Sequence, residues 1–181
     1  MGTGLRIGGC PAEALARRFG TPLFAYDEGA VVERYRRFAR AFASRPTRLC
    51  YALKANPLKG LARALAREGA GCDVVSGGEL RRALAAGFAA GRVVFSGVGK
   101  TEEELRLGLS VGVGTFNVES RSELELLARV ARRTRRTARF AVRLSPGVRA
   151  GGHAHIVTGL AETKFGVEAT EAAALYRWAL R

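Results

Sequence analysis

Three times in this chain a short apolar run is followed by the same punctuation: Ser76 with Glu79, Thr101 with Glu104, and Ser120 with Glu123. In such an S/T-x-x-E capping box the hydroxyl accepts from an early helix N–H while the glutamate reaches back to the N–H of the cap. One box says little. Three, each just behind a strand-like run, mark a repeated strand–helix unit, and that repetition confines the chain to folds built on parallel strands. The runs are Leu49–Leu53, Cys72–Val75, Val93–Phe95, Thr115–Val118 and Phe140–Leu144. They are short, rich in β-branched and aromatic residues and not cleanly amphipathic, as strands buried on both faces should be. Helical spacing follows at Leu58–Arg67, Glu79–Ala86, Glu102–Leu109 and Leu124–Ala131. Asn56-Pro57 adds a start signal, Asn as cap and Pro at the first helical position. Gly69, Gly87 and Gly112 stand where helix ends favour a left-handed residue.

A strand-to-strand step of roughly 20 to 25 residues suits either an open doubly wound sheet or a closed (β/α)8 barrel. Five units are legible, and the fifth helix, about Thr170 to Arg181, runs to the last residue with no cap or stop, leaving Trp178 and Leu180 little to pack against. A closed barrel has eight units. The expectation is therefore an α/β fold, a partial (β/α)8 barrel whose later units are missing. Ahead of the repeats, Pro11–Phe19 and Glu28–Phe42 read as helices flanking a strand at Leu23–Tyr26. Residues 1–43 then form a lead-in and residues 44–181 the incomplete barrel.

Composition narrows the function classes. Apolar residues make up 48% of the 181 residues, enough for a packed core. No apolar run reaches the roughly 18 to 20 residues of a membrane helix, and Met1 to Pro11 lacks the layout of a signal peptide. Cys10, Cys50 and Cys72 form no C-x-x-C pair and read as free thiols in a reducing cytosol. The net charge of +14 is mostly arginine, densest from Arg129 to Arg139. With no aromatic residues interleaved for base stacking, that stretch reads as the solvated, cation-favouring end of a helix and not as a nucleic-acid surface.

In parallel strand–helix folds ligands bind at the carboxyl ends of the strands. The polar residues there are Lys54, then Asp73 and Ser76, Ser96, Asn117 and Glu119, and finally Arg143 and Ser145. Lys54 ends the run Tyr51-Ala52-Leu53. Desolvation at such a place frees an amine as a nucleophile, suited to a Schiff base with an aldehyde; the plainer alternative is a lysine that reaches out to solvent. Gly99-Lys100-Thr101 imitates the tail of a phosphate-binding loop, but the required first glycine is replaced by Val94. Gly147 to Gly152 reads as a loop. His153 and His155 lack a third ligand at suitable spacing, so no metal is expected.

Several motifs in order now point to one family. Tyr51-Ala52-Leu53-Lys54-Ala55-Asn56-Pro57 resembles the cofactor-lysine segment of the diaminopimelate decarboxylases, which use pyridoxal phosphate (PLP). The likeness continues through Gly71-Cys72-Asp73-Val74-Val75-Ser76-Gly77-Gly78-Glu79-Leu80, preceded by Gly20-Thr21-Pro22-Leu23-Phe24-Ala25-Tyr26-Asp27. Phe95-Ser96-Gly97-Val98-Gly99-Lys100-Thr101, Phe116-Asn117-Val118-Glu119-Ser120, Thr158-Gly159 and Lys164-Phe165-Gly166 extend it over about residues 11 to 181. The resemblance implies the alanine-racemase type of barrel followed by a β-domain, which is expected to be missing here. It implies a cytoplasmic homodimer that decarboxylates meso-diaminopimelate to lysine. Lys54 would carry the cofactor covalently, Asp73 would belong to the cofactor pocket, and Arg143 would face the cofactor from its strand end.

Lys164-Phe165-Gly166 would lie near the subunit interface. The family's phosphate-binding residues, ring-nitrogen acid, stacking histidine and catalytic cysteine and tyrosine have no counterpart here, so the fragment alone is expected to be inactive. Competing readings are a decarboxylase of the same fold acting on ornithine, arginine or carboxynorspermidine, a racemase, a non-enzymatic PLP-binding barrel, and a nucleic-acid-binding protein. The wording Tyr-Ala-Leu-Lys-Ala-Asn and Ser-Gly-Gly-Glu-Leu favours diaminopimelate.

Overall fold

The computed structural model describes residues 4–145 and 165–180. A short antiparallel pair, β1 (Arg6–Ile7) and β2 (Cys10–Pro11), leads into helices α1 (Ala12–Phe19) and α2 (Glu28–Ala41). The strand expected at Leu23–Tyr26 does not form: those residues run without regular structure, and Phe24 is 86% exposed. With no neighbouring strand to take its backbone hydrogen bonds, β-propensity alone does not make a strand.

From Cys50 onward the repeat is as expected. Strand β3 (Cys50–Ala52) is followed by α3 (Lys59–Arg67), β4 (Gly71–Val74) by α4 (Gly77–Ala86), and β5 (Val93–Phe95) by α5 (Glu102–Val111). Next come β6 (Thr115–Val118) with α6 (Arg121–Thr134), and β7 (Phe140–Val142) with α7 (Ala169–Ala179). The strands pair in parallel in the order β3-β4-β5-β6-β7, an unbroken five-stranded run in which sequence neighbours are spatial neighbours. That order belongs to a barrel wall. A doubly wound sheet would reverse direction at a switch point.

The register explains why the strands did not look amphipathic, and it corrects the expectation of burial on both faces. Cys72 pairs with Val93 and Val74 with Phe95, while Phe95 pairs with Phe116. These side chains, with Val118, lie buried beneath Leu65, Leu80, Leu105, Leu109, Leu124 and Leu127 of the helices. The alternate positions, Asp73, Val94, Thr115 and Asn117, are half-buried on the concave side. Phe95 and Phe116 stack with ring centroids 6.0 Å apart. Gly108 of α5 is required there, because a Cβ would come within 2.8 Å of the Phe116 ring.

Helix ends follow the sequence with informative shifts. Gly87 and Gly112 close α4 and α5 in the left-handed conformation, and Gly69 has φ +80° just past α3. The full reciprocal capping box forms at Thr101 and Glu104. At the other two sites the hydroxyl caps as expected, but the glutamate reaches one residue further back: Glu79 accepts from the N–H of Val75 and Glu123 from that of Glu119. Helix α3 starts two residues later than Asn56-Pro57 suggested. Asn56 instead accepts from the N–H of Leu58 at 3.0 Å, making an Asx turn before the helix. In α7, Tyr176 stacks on Phe140 and its hydroxyl accepts from the N–H of Val142; Trp178 is half-buried against the core, whereas Leu180 is 88% exposed.

Candidate active site

Because side chains alternate along a strand, one parity of residue number faces the concave side at each strand end. Asp73 and Val75, Ser96, Asn117 and Glu119, and Arg143 share that side and line a single cavity of about 780 Å³ together with Lys54 and Phe165. This volume lies within the range of ordinary small-molecule sites. The structure therefore brings together all three residues expected to serve a cofactor, Lys54, Asp73 and Arg143.

Lys54 sits two residues beyond β3, in a 3-10 turn over Leu53–Ala55. Leu53 is fully buried and anchors this turn, and the Tyr51 hydroxyl donates to the Asn56 carbonyl at 3.0 Å, spanning it. Burial pushes the Tyr51 phenol up, with neighbouring Cys72 and Tyr26 adding to the effect, so it stays a donor. The Lys54 side chain has no hydrogen-bond or ion-pair partner among the described residues, and the residue is exposed. This corrects the idea that burial activates the amine: the turn lifts it clear of the apolar strand and opens it to the cavity.

Across the strand ends runs a polar chain. Asn117 Nδ2 donates to Ser96 Oγ at 3.0 Å, and Ser96 Oγ donates to Asp73 Oδ1 at 2.5 Å. The serine has one proton to give, and giving it to the carboxylate fixes the direction of the whole chain. Further along, Arg143 Nη1 donates to Glu119 Oε1 at 3.2 Å, and its guanidinium lies over the Phe165 ring, 4.8 Å from the centroid. Phe165 thus enters the site by contact with Arg143. Of the motif that carries it, Lys164 lies outside the described residues, as do Gly147 to Gly152, His153, His155 and Thr158-Gly159. Among the described residues, no group of three histidines, cysteines or acids stands ready for a metal ion.

Beneath the cavity lies a pair that the sequence reading passed over. Lys100 Nζ spends its three protons on the carbonyls of Gly97 and Asn117, each at 2.7 Å, and on Glu123 Oε1 at 2.5 Å. The side chain of Lys100 is fully buried and that of Glu123 nearly so. The lysine that imitated a phosphate-binding loop is a strut, and the pair fixes the backbone on both sides of Val118. A capping glutamate and a lysine 23 positions earlier were both visible in the sequence, but nothing local paired them.

The arginine-rich stretch lies away from the cavity. Arg132 and Arg133 occupy the last turn of α6, Arg135 takes the left-handed cap position, and Arg133 pairs with Glu102 at 3.2 Å. No helix among the described residues is long and apolar enough to cross a membrane.

Residues 28–181 match the family model described as pyridoxal-dependent decarboxylase, pyridoxal binding domain. The diaminopimelate decarboxylase of Zymomonas mobilis is 45% identical over 169 residues, which cover 92% of this chain and 40% of that protein. The one from Pseudomonas aeruginosa is 48% identical over 168 residues, covering 93% and 40%. Among solved structures, Helicobacter pylori diaminopimelate decarboxylase complexed with L-lysine superposes with a TM-score of 0.90 at 38% identity, over 93% of this chain and 43% of that one. The lysine/ornithine decarboxylase of Vibrio vulnificus complexed with putrescine gives a TM-score of 0.74 at 27% identity, over 93% and 40%. The chain spans about 40% of the length of the curated relatives it matches.

Proposed function

This chain belongs to the pyridoxal-dependent decarboxylases, and from that premise we propose that the protein it comes from removes one carboxylate of meso-2,6-diaminopimelate to give L-lysine and CO2. The observation that carries the reading is the amine of Lys54 opening into one cavity with the Asp73–Ser96–Asn117 chain and Arg143. The choice of substrate rests on the relatives: diaminopimelate decarboxylases match at higher identity and TM-score than the lysine/ornithine enzyme. Since the chain spans about 40% of those relatives, the activity is assigned to the whole protein, acting as a cytoplasmic homodimer on a small amino acid. The 181 residues alone are expected to release no lysine from diaminopimelate.

The donor set fits pyridoxal phosphate. An unpartnered primary amine is what an aldehyde requires, and the carboxylate of Asp73 and the guanidinium of Arg143 line the same cavity as the polar groups a charged ligand needs. Bound there, the cofactor supplies the electron sink that stabilises the electron pair left when CO2 departs. Lys54 Nζ would hold the aldehyde and, when free, can give or take a proton. Asp73, its direction fixed by Ser96, presents a carboxylate whose second oxygen remains available to a ligand. Arg143, held over the Phe165 ring, offers planar N–H donors to an oxygen of the ligand.

The test is covalent trapping. The whole gene product is loaded with pyridoxal phosphate, reduced with borohydride, digested and analysed by mass spectrometry. The pyridoxyl label is expected on Lys54, and Lys54→Ala should abolish both label and visible absorbance. A label confined to Lys59, Lys100 or Lys164 would refute the assignment, and product formation from ornithine but not from diaminopimelate would refute the substrate.

A further inference from the structure

Glu119 has one of the most deeply buried charged side chains in the described structure, 3% exposed, and it lines the cavity. Its backbone N–H is tied at 2.9 Å to Glu123 Oε2, and Glu123 is in turn held by Lys100. The carboxylate therefore stands on a rigid base. Its two oxygens differ: Oε1 accepts from Arg143 Nη1, whereas Oε2 is buried with no partner among the described residues. A charged acceptor buried without a donor is costly, so an acid at this place needs a reason beyond packing.

Arg143 supplies the reason. It stands past the end of β7 with its side chain 41% exposed, where a long flexible cation would sample many rotamers. Two contacts restrain it: the Phe165 ring under the guanidinium, and the single charge-assisted bond to Glu119. Together the ring and the acid restrain where the guanidinium sits.

We propose that Glu119 is a positioning residue of the cofactor cavity: through Oε1 it holds Arg143 for the ligand. The proposal rests on the cavity being the pyridoxal phosphate site. Losing the bond leaves the cation unplaced, so a ligand must order it on binding.

The experiment is a double-mutant cycle in the whole gene product, read as the dissociation constant of pyridoxal phosphate and as the pH midpoint of the bound cofactor's visible absorbance. Glu119→Gln is expected to weaken binding roughly tenfold, as for one charge-assisted hydrogen bond, and to lower the midpoint, because a nearby negative charge that favoured a protonated chromophore is gone. In an Arg143→Gln background the same change should alter the dissociation constant less than about twofold, since the effect acts through the guanidinium. Equal losses in both backgrounds, or an unmoved midpoint, would overturn the proposal and leave the cofactor assignment intact. A parent protein that binds no pyridoxal phosphate would overturn both. If Glu119→Gln fails to fold, Glu119→Asp serves: it keeps the charge, draws it back from Arg143, and should weaken binding only when Arg143 is present.

Discussion

Replacing Lys100 by methionine should be among the most damaging single changes in this chain, although the residue lies outside the cavity. Methionine fills much of the same volume, so the loss is electrostatic and not a cavity. It strips Glu123 Oε1 and the carbonyls of Gly97 and Asn117 of their donor at once. Breaking a buried ion pair by removing one partner costs about 3–5 kcal/mol. Set against a total stability of about 5–15 kcal/mol for a domain, that is a large share.

The measurement is urea unfolding of the 181-residue chain, followed by circular dichroism and by the fluorescence of Trp178, its one tryptophan. The decisive comparison is the double variant Lys100→Met with Glu123→Gln. It removes the orphaned charge while keeping an oxygen for the Glu119 N–H, and it should recover about half of the loss. A single variant within about 1 kcal/mol of the parent, or a double variant no better than the single, would refute the view that the pair supports this side of the site.

Two further outcomes follow from named contacts. Burial pushes the Glu104 carboxyl up, but the N–H groups of Gly77 and Thr101, with the Thr101 hydroxyl and Lys100, outweigh it, and the net position is below the usual carboxylate range. The stabilisation from Glu104 is therefore present above the unfolded carboxylate pKa and is lost as pH falls through the lower folded value. Glu104→Gln should lose about 1–2 kcal/mol at neutral pH and flatten the acid limb of the stability profile, and an unchanged acid limb would sink the assignment. Among the thiols, burial pushes Cys72 up to about 12, with Asp73, Cys50 and Glu79 adding to it, whereas Cys10 is exposed. A thiol reagent should thus label Cys10 first, Cys50 slowly and Cys72 only on unfolding; early labelling of Cys72 would show that β4 opens in the native state.

How far the sequence could be read depends on the range of the interaction concerned. Capping hydroxyls, left-handed glycines and the strand–helix rhythm act within about five residues, and Ser76, Thr101, Ser120, Gly87 and Gly112 all sit where that rhythm put them. The motif around Lys54 was legible because its residues are contiguous. Leu23–Tyr26 was misread because strand formation requires a partner from elsewhere in the chain. The Lys100–Glu123 pair, the Asn117–Ser96–Asp73 chain and the contact of Phe165 with Arg143 join residues 21 or more positions apart, and each needs the register before it can be seen.

Once the register is known, much of the site follows from one rule. Starting at Asp73, the strands place Ser96, Asn117, Glu119 and Arg143 on the same side because Asp73 pairs with Val94 and Asn117 with Ala141, and each polar residue lies an even step from a concave-facing one. A slip of one residue in any strand would turn its polar end into the layer beneath the helices and bring an apolar side chain to the cavity. The apolar residues between, Val74, Phe95 and Val118, are each fully buried. The same alternation that holds the wall together therefore selects the chemistry at its rim, and a mutation that shifts register should abolish cofactor binding without touching a residue of the site.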